Sequence, residues 1–420
     1  KVAISLSTFR KIIYFGGSKL KYNFDEIIDR RNTNALNTDG FRQYIFHAGQ
    51  DKKFNYADED FVRMWVADME FKTAPEIIDA IKERADHGIF GYTRTFNDDY
   101  YNAFCDWCRK KYDWEFPKEE LMFTQGVVAA IYQLIGIMTE KKGSLLITTP
   151  SYKQFRGAAQ FNGIDYVCSD LINTNGYFTI DFDDFEKKAS DKNVKAVIWC
   201  NPHNPTGRMW TEDELKKVAD IVKKYNLWII SDEIHCDVIR TGNKHIPMAK
   251  IIGDYDKLVT CMAPSKTFNL AGLMLSNIII RDKTLRNAMR STDFTSGSLN
   301  PISLAAAQAA YEKGDEWLDG LKEYLDGNFA FADKFFKENM PKANFYIPES
   351  TYLAWVDMRG YFVKGENLSE FFANNAGVLL EGGNDLFVGN AEGFVRLNFA
   401  MPRSIIEKGL NRMAEALKNK

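Results

Sequence analysis

Apolar and polar positions alternate in a way that predicts a layered α/β fold. Between about Leu121 and Asp282, short runs rich in β-branched residues alternate with amphipathic helical stretches. Strands buried on both faces are apolar nearly throughout, so this alternation is typical of a mostly parallel sheet covered by helices. The runs that we predict as strands are 145–148, 165–168, 194–200, 227–231, 258–262 and 275–280.

Helical periodicity is clear at two places between and before these runs. Thr211 and Glu214 form a capping box ahead of apolar residues at 215, 218, 219, 222 and 225. A second helix is predicted over 98–112 and contains the pair Cys105 and Cys108. No second cysteine pair and no neighbouring histidine follow, so we expect these cysteines to pack in the helix and not to bind a metal.

The pattern of apolar and polar residues changes after Ser303, which suggests a second domain. Long polar helices over 304–314 and 316–339 precede two apolar runs, 352–357 and 393–399. We predict a large domain over 75–302 and a smaller α+β domain formed from both chain ends, 21–74 and 303–420. Residues 1–20 are interpreted as an N-terminal extension, since Arg10 and Lys11 interrupt the apolar stretches that a secretory signal needs.

Composition excludes several classes of function. With 45% apolar and 26% charged residues in 420, the chain is typical of a globular protein, and its net charge of −3 offers no broad basic surface for nucleic acid or an anionic membrane. No run reaches the ~18 apolar residues of a membrane span. The six scattered cysteines favour a reducing compartment, the cytoplasm. We therefore expect a small-molecule substrate and no bound metal.

Three polar segments directly follow predicted strands, where ligands of open parallel sheets bind. These segments are 201–207 (NPHNPTG), 231–235 (SDEIH) and 263–267 (APSKT). They supply groups that pyridoxal 5'-phosphate (PLP) requires: an amine, a carboxylate for the ring nitrogen and a donor to the ring oxygen. Desolvation would lower the pKa of Lys266, Asp232 would otherwise be a costly buried charge, and Asn204 can donate.

The remaining requirements are a phosphate site and a platform for the ring. The helix that begins near Gly126, Val127 and Val128 offers free backbone amides, and Gly126 allows a close approach. Tyr152 is placed to stack on the ring. Taken singly, Asn204, Asp232, Lys266 and Tyr152 fit a turn, an N-cap, a surface lysine and a core residue, but their order at successive strand ends favours the cofactor site.

Several motifs together are specific to one family of enzymes. They are 22–25 (YNFD), 64–69 (MWVADM), 88–92 (GIFGY), 201–207, 231–235, 265–272 (SKTFNLAG), 351–355 (TYLAW) and 395–399 (VRLNF). With these motifs, the chain from about Tyr22 onward resembles fold-type I PLP enzymes of aminotransferase class I/II. More narrowly, it resembles the MalY/PatB-type cystathionine β-lyases, or C-S lyases. The resemblance implies an aspartate-aminotransferase-like fold.

The resemblance also implies a role for each candidate residue. Lys266 holds PLP as a Schiff base, Asp232 pairs with the ring nitrogen, and Asn204 and Tyr152 contact both ring and substrate. Arg396 binds the substrate α-carboxylate through its planar fork. Tyr92 reaches the phosphate or substrate of a neighbouring subunit, which makes it a second catalytic candidate and implies a homodimer with a shared site.

Two departures from the broad aminotransferase pattern bear on the reaction. His235 stands where aminotransferases usually have a tyrosine, three residues beyond Asp232, and the C-S lyase branch carries this histidine. We expect His235 to contact the cofactor and take part in the chemistry, and the alternative is a hydrogen-bonded structural role. Ala263 replaces a serine that often binds phosphate, so Ser265 and the amides after Gly126 would bind the phosphate.

The expected activity is cleavage of L-cystathionine and related S-substituted cysteines to a thiol, pyruvate and ammonia. One alternative is a class I/II aminotransferase, which uses the same lysine and ring. Another is a regulatory role, since members of this family can contact a transcription regulator. The preferred sulfur amino acid stays open, and Trp65, Asp68, Tyr352 and Trp355 are each either specificity residues or core.

Overall fold

The structure is a computed structural model that describes residues 21–94, 97–292, 299–418 and 420, with the backbone alone at 292, 384 and 385. The predicted extension over 1–20 lies outside these residues. The strands are β1 (Val62–Arg63), β2 (Leu121–Thr124), β3 (Ser144–Thr149), β4 (Ser151–Tyr152), β5 (Asp165–Asp170), β6 (Ile172–Thr174), β7 (Tyr177–Thr179), β8 (Val194–Cys200), β9 (Trp228–Asp232), β10 (Leu258–Met262), β11 (Ser276–Ile280), β12 (Asn344–Phe345), β13 (Leu353–Asp357), β14 (Val378–Leu379), β15 (Glu381–Gly382), β16 (Phe387–Val388) and β17 (Phe394–Asn398).

Helices connect most of these strands. They are α1 (Leu36–Asp39), α2 (Phe41–Phe46), α3 (Pro75–Asp86), α4 (Asp98–Tyr112), α5 (Val127–Met138), α6 (Lys153–Phe161), α7 (Phe182–Ala189), α8 (Glu212–Lys224), α9 (Met248–Ile251), α10 (Pro264–Thr267), α11 (Lys283–Thr292), α12 (Pro301–Lys313), α13 (Asp315–Asn339), α14 (Leu368–Ala376), α15 (Gly383–Leu386) and α16 (Arg403–Ala416). Short 3₁₀ turns lie at Asp58–Asp60, Lys118–Glu120 and Ala271–Leu273.

The central sheet is mostly parallel, as predicted. Within the described residues it has seven strands in the order β2-β11-β10-β9-β8-β3-β5. Every predicted strand is present, with ends shifted by at most two residues. Strand β11 runs antiparallel to β10 and β2, and β2 itself was not predicted. An apolar run buried on both faces reads the same in either direction, so its pattern does not reveal β11's orientation.

The parallel register brings the polar segments to one edge of the sheet. Cys200 at the end of β8 pairs with Asp232 at the end of β9, and Asp232 in turn lies level with Cys261 near the end of β10. Helix α8 covers this region and begins at the predicted capping box, in which Thr211 and Glu214 bond each other's backbone amides. Such a cap stabilises a helix by about 1 kcal/mol.

A second, antiparallel sheet of order β12-β13-β17-β15 lies in the C-terminal third of the chain. Its apolar cluster includes Val62 and Met64 from near the start of the chain, because β1 pairs with β14. Ala306 and Trp317, from α12 and α13, belong to the cluster that packs on the central sheet, although our division assigns both helices to the small domain. The division into 75–302 and its two flanking parts stays a prediction.

Helix α4 carries the C-x-x-C pair. Cys105 and Cys108 are both buried on this helix as free thiols, and burial raises the pKa of Cys108 well above its usual range. A buried neutral thiol behaves as a small apolar side chain. Neither α4 nor any other helix in the described part of the chain is both long and apolar enough to cross a membrane.

Candidate active site

A cavity of about 1120 Å³ lies beyond the carboxyl ends of the central strands. Its wall brings together most of the residues that the sequence singles out: Gly126, Val127, Val128, Tyr152, Asn204, Asp232, His235, Ser265, Lys266 and Arg396. Tyr92 does not line this cavity and its side chain is 100% exposed. The roles of these residues stay predictions, and the contacts described next are the basis for proposing them.

Lys266 lies on the short helix α10, directly after β10, and its amine faces the cavity wall. Its Nζ donates to the carbonyl oxygen of Ala67 at 2.8 Å. Burial, aided by the charge of nearby Arg396, lowers the pKa of Lys266 to about 8. A substantial fraction of the amine is therefore neutral near that pH, as a nucleophile or a general base requires.

The backbone carbonyl that accepts the hydrogen bond from Lys266 belongs to segment 65–71, which is held by several side chains. The hydroxyl of Tyr352 donates to the same oxygen of Ala67 at 2.8 Å. Asn398 donates to the carbonyls on either side of Ala67, and Asn269 accepts a backbone N–H and donates to two carbonyls farther along. The lysine thus meets an acceptor whose position is fixed by two asparagines.

Asp232 and Glu233 are adjacent buried acids with very different surroundings. Glu233 accepts from Ser231 at 2.8 Å, from the Met248 amide at 3.0 Å and pairs with His245 Nε2 at 2.7 Å. Asp232 accepts one bond, from the backbone of the residue two positions on, at 3.3 Å. Burial raises the pKa of Asp232 to about 7. A buried carboxylate so poorly paired is suited to a cationic ligand group.

Arg396 projects from β17 into the same cavity. Its Nη1 donates to Asn204 Oδ1 at 3.2 Å, its Nη2 donates to the Trp65 carbonyl at 3.2 Å, and it forms an ion pair with Glu381. Its Nε has no hydrogen-bond partner among the described residues. With Oδ1 of Asn204 occupied by the guanidinium, the amide nitrogen of Asn204 remains to donate to a ligand.

The start of α5 forms the anion-binding end of the cavity. Gly126 caps this helix with φ of 118°, a conformation that L side chains rarely adopt, and a Cβ there would meet nothing within 4 Å. The amides of Val127 and Val128 follow in the first turn, which carries no acidic residue. Free amides and the helix dipole favour a phosphate at such an end, and Ser265 lines the same cavity.

The aromatic side chains of His235 and Tyr152 also line the cavity. Burial, together with the charges of Lys266 and Arg396, lowers the pKa of His235 to about 3, so its imidazole is neutral. Its Nδ1 has no partner in the described part of the chain, which disfavours the purely hydrogen-bonded structural role. Tyr152 is partly buried, and this burial raises the pKa of its hydroxyl.

Sequence reasoning missed several charged groups that line the cavity. Glu381 ends the apolar run 378–380 and precedes two glycines, a local signal that is visible but weak. Arg30 donates to Asp68 at 2.6 Å and to Glu70 at 2.7 Å, and all three line the wall. Asp68 is already a candidate from the sequence, but no periodic pattern connects the segments of Arg30 and Glu70 to the site, so their pairing around Asp68 could not have been found from the sequence.

The sequence leaves four residues open between a role in substrate specificity and a place in the core, and the structure gives them different surroundings. Asp68 lines the cavity, whereas Trp65 and Tyr352 are buried and reach it through Arg396 and through the acceptor of Lys266. Trp355 is buried between the rings of Phe387 and Phe394 and does not line the cavity.

These residues fit PLP. The unpaired carboxylate of Asp232 suits a protonated ring nitrogen, and the buried amine of Lys266 suits covalent attachment. The amides after Gly126 suit the phosphate, and the orphaned Nε of Arg396 and Nδ1 of His235 point to a ligand that completes their bonding.

Comparison with known proteins agrees with this geometry. The family described as aminotransferase class I and II matches residues 59–413. Cystathionine β-lyase PatB of Bacillus subtilis is 38% identical over 362 residues, 85% of this chain and 93% of PatB. Protein MalY of Escherichia coli is 30% identical over 402 residues, 94% of this chain and 99% of MalY. A solved structure, the PLP-bound C-S lyase of Staphylococcus hominis with the inhibitor L-cycloserine, has a TM-score of 0.91 and 48% identity and covers 94% of this chain and 98% of that one. The residues matched by the family model include the strands of both sheets and most of the cavity wall, and the chain belongs to the aminotransferase class I and II family.

Proposed function

We propose that this chain is a PLP-dependent carbon–sulfur β-lyase that cleaves L-cystathionine and related S-substituted cysteines to a thiol, pyruvate and ammonia. The observation that carries this proposal is the meeting of Lys266, Asp232 and Arg396 on one cavity beyond the central strands. The relatives named as cystathionine β-lyase and C-S lyase favour this reaction over the aminotransferase alternative.

Each part of PLP has a counterpart in the cavity. Lys266 would attach the cofactor covalently, Asp232 would pair with the ring nitrogen and Asn204 would donate to the ring oxygen. The phosphate would be bound by Ser265 and by the backbone at Gly126, Val127 and Val128, while Tyr152 and His235 would contact the ring. When bound there, PLP withdraws the electrons that are released at Cα of the amino acid.

The side chains of this protein bind the substrate and move its protons. Arg396 would bind the α-carboxylate and so fix the orientation of the amino acid. Once the amino group of the substrate has taken the place of Lys266 on the cofactor, the freed Lys266 amine would accept the Cα proton. Asp232 keeps the proton on the ring nitrogen. The β C–S bond then breaks, and the proton taken by Lys266 is available to the leaving sulfur. One water supplies the keto oxygen of pyruvate as ammonia is released.

The direct test uses the PLP-loaded protein and L-cystathionine without any added keto acid. Free thiol and pyruvate are followed in the same sample, and equal amounts are expected to appear together. Product formation that depends strictly on an added keto acid would instead identify an aminotransferase.

A homodimer with a shared site is part of the proposal. Tyr92 is fully exposed, and Ile89 and Phe90 in the same segment are 67% and 57% exposed. Clustered apolar groups of this kind favour contact with another protein surface. In a two-fold dimer, Tyr92 of each subunit would reach the phosphate or substrate held by the other.

The proposed location is the cytoplasm. All six cysteines are free thiols and five of them are buried. Unpaired cysteines in this number fit a reducing compartment.

A further inference from the structure

Glu381 is a buried acid at the centre of the site to which the proposed mechanism assigns no role. It lies directly across from Arg396 in the pairing of β15 with β17, and the two side chains form an ion pair. Each side chain is only 3% exposed, and both line the cavity. The arginine that would bind a substrate carboxylate is therefore already paired with a carboxylate of the protein.

A second carboxylate at Arg396 changes the balance of charge. The groups that face Glu381 are Arg396 from β17, Lys153 from α6, Lys266 from α10, and the hydroxyls of Tyr44 and Tyr152. Burial raises the pKa of Glu381 even though these three cations act to lower it. Two carboxylates that share one buried guanidinium leave one of them without its hydrogen-bonded ion pair, which is costly away from water.

We propose that Glu381 is a positioning residue that holds the Arg396 guanidinium in the free site and competes for it with the α-carboxylate of substrate and product. The idea rests on the proposed function only in requiring a carboxylate ligand at Arg396. Pyruvate retains the carboxylate of the substrate, so a competitor of this kind weakens the binding of product as well as of substrate. Product release is thereby favoured.

The displaced Glu381 takes up a proton. Its carboxyl group remains buried when a ligand occupies Arg396, and a neutral acid is the less costly state there. Binding of a carboxylate ligand is therefore coupled to proton uptake and weakens as the pH rises.

The test compares the PLP-loaded wild type with Glu381→Gln, which keeps the size and a hydrogen-bond acceptor but cannot ionise. We expect the variant to bind pyruvate about tenfold more tightly at pH 8, because no ionised side chain at position 381 then competes for Arg396, and a tenfold change in affinity corresponds to about 1.4 kcal/mol. At pH 6 the difference should shrink, and the variant's affinity should be nearly independent of pH. In turnover, KM falls and kcat does not increase.

Calorimetry of pyruvate binding in two buffers of different ionisation enthalpy gives a readout that needs no turnover. The wild type should take up about one proton and the variant none, by proton linkage. The matched control is Glu349→Gln, because Glu349 pairs with the buried Arg208 at 2.9 Å outside the cavity. It should leave pyruvate affinity and proton uptake unchanged.

Weaker pyruvate binding by Glu381→Gln to the same extent at pH 6 and pH 8, or unchanged proton uptake, would overturn the proposal and leave Glu381 as a structural partner of Arg396. Failure to cleave L-cystathionine would bear on the proposed function alone, because pyruvate binding is measured at equilibrium.

Discussion

Asp232 influences stability in the direction opposite to most acidic residues. Its pKa in the folded, cofactor-free protein is raised from 3.8 to about 7, so the folded state holds this proton more tightly than the unfolded chain. The contribution of this carboxyl group to the free energy of unfolding is therefore fully present below about pH 4 and is lost as the pH rises to about 7. Three pKa units correspond to at most about 4 kcal/mol.

Replacing Asp232 with asparagine is expected to separate folding from cofactor binding. Without PLP, Asp232→Asn should melt at a higher temperature than the wild type at pH 8, and the difference should be clearly smaller at pH 5. With PLP, the variant should bind the cofactor more weakly, because the ring nitrogen loses its carboxylate. Scanning calorimetry at both pH values and a PLP titration measure the two effects.

Asp237→Asn is the control for this experiment. Asp237 is also buried but accepts from Tyr112, from Trp107 at 3.1 Å and from Thr267 at 2.8 Å. Its replacement should destabilise the protein at both pH values, since a well-bonded acceptor is lost. An Asp232→Asn protein that behaves in the same way would contradict the unpaired character of Asp232.

Lys266 is expected to be indispensable for covalent attachment and for proton transfer. Lys266→Ala should lack the visible absorption of covalently bound PLP and should lose activity by about 10²–10⁴-fold, the usual contribution of a general base. Lys257→Ala is a suitable control, because burial also lowers the pKa of Lys257 while its side chain lies outside the cavity. Activity retained by Lys266→Ala would refute the assignment.

At the scale of elements, the start of α5 depends on the backbone conformation of Gly126. In Gly126→Ala, the added Cβ clashes with nothing but forces an L residue to φ of 118°, which costs on the order of 1–3 kcal/mol. The strain or its relief moves the amides that would bind phosphate. We expect a clearly weaker affinity for PLP, measured by absorbance titration, together with a lower melting temperature.

Gly163→Ala isolates the two effects. Gly163 has φ of 68° and open space around its would-be Cβ, but it lies after α6 and outside the cavity. Its replacement should lower the melting temperature and leave the affinity for PLP unchanged. Equal loss of PLP affinity in both variants would show that strain alone explains the result.

The central elements could be predicted from sequence because their signals are local. Apolar runs mark buried strands, and ligands bind beyond the ends of such strands, so the sequence alone predicts that Asn204, Asp232 and Lys266 lie together. The resemblance to MalY/PatB-type lyases is confirmed by the comparisons, and the α/β fold is confirmed as well. The pairing of Glu381 with Arg396 depends on strand register, which no local pattern reports.

The same limit applies to the contacts made by segment 65–71. The acceptor of Lys266 is a backbone carbonyl at Ala67, 199 residues away in sequence, and a carbonyl leaves no mark on the choice of side chain. Tyr352 and Asn398, which hold this segment, lie in motifs that carry the family resemblance, but those motifs do not show which backbone carbonyls the two side chains contact. Their function becomes visible only when the C-terminal sheet is placed against the loops of the central one.

At the scale of the whole molecule, the cavity is built from both sheets. Arg396 and Glu381 come from the C-terminal sheet, whereas Asn204 and Lys266 follow strands of the central sheet. The bond from Arg396 to Asn204 joins the two parts inside the site. A change in the relative position of the two sheets would therefore alter the binding of a ligand to Arg396 and Lys266 directly. Tyr92 is fully exposed and does not line the cavity of its own chain, so its proposed contribution would be to the site of another subunit.

Subunit mixing tests whether Tyr92 acts across the interface. Lys266→Ala and Tyr92→Ala homodimers should each be nearly inactive, but a mixed dimer contains one site with intact Lys266 and Tyr92 and one site that lacks both. Random reassociation makes half of the dimers mixed, so about one quarter of wild-type activity should return for a two-fold dimer. Mixing Lys266→Ala with Asp232→Asn is the control and should restore nothing, because both residues serve the site of their own subunit. If the first mixture also stays inactive although mixed dimers form, Tyr92 does not contribute to the partner's site.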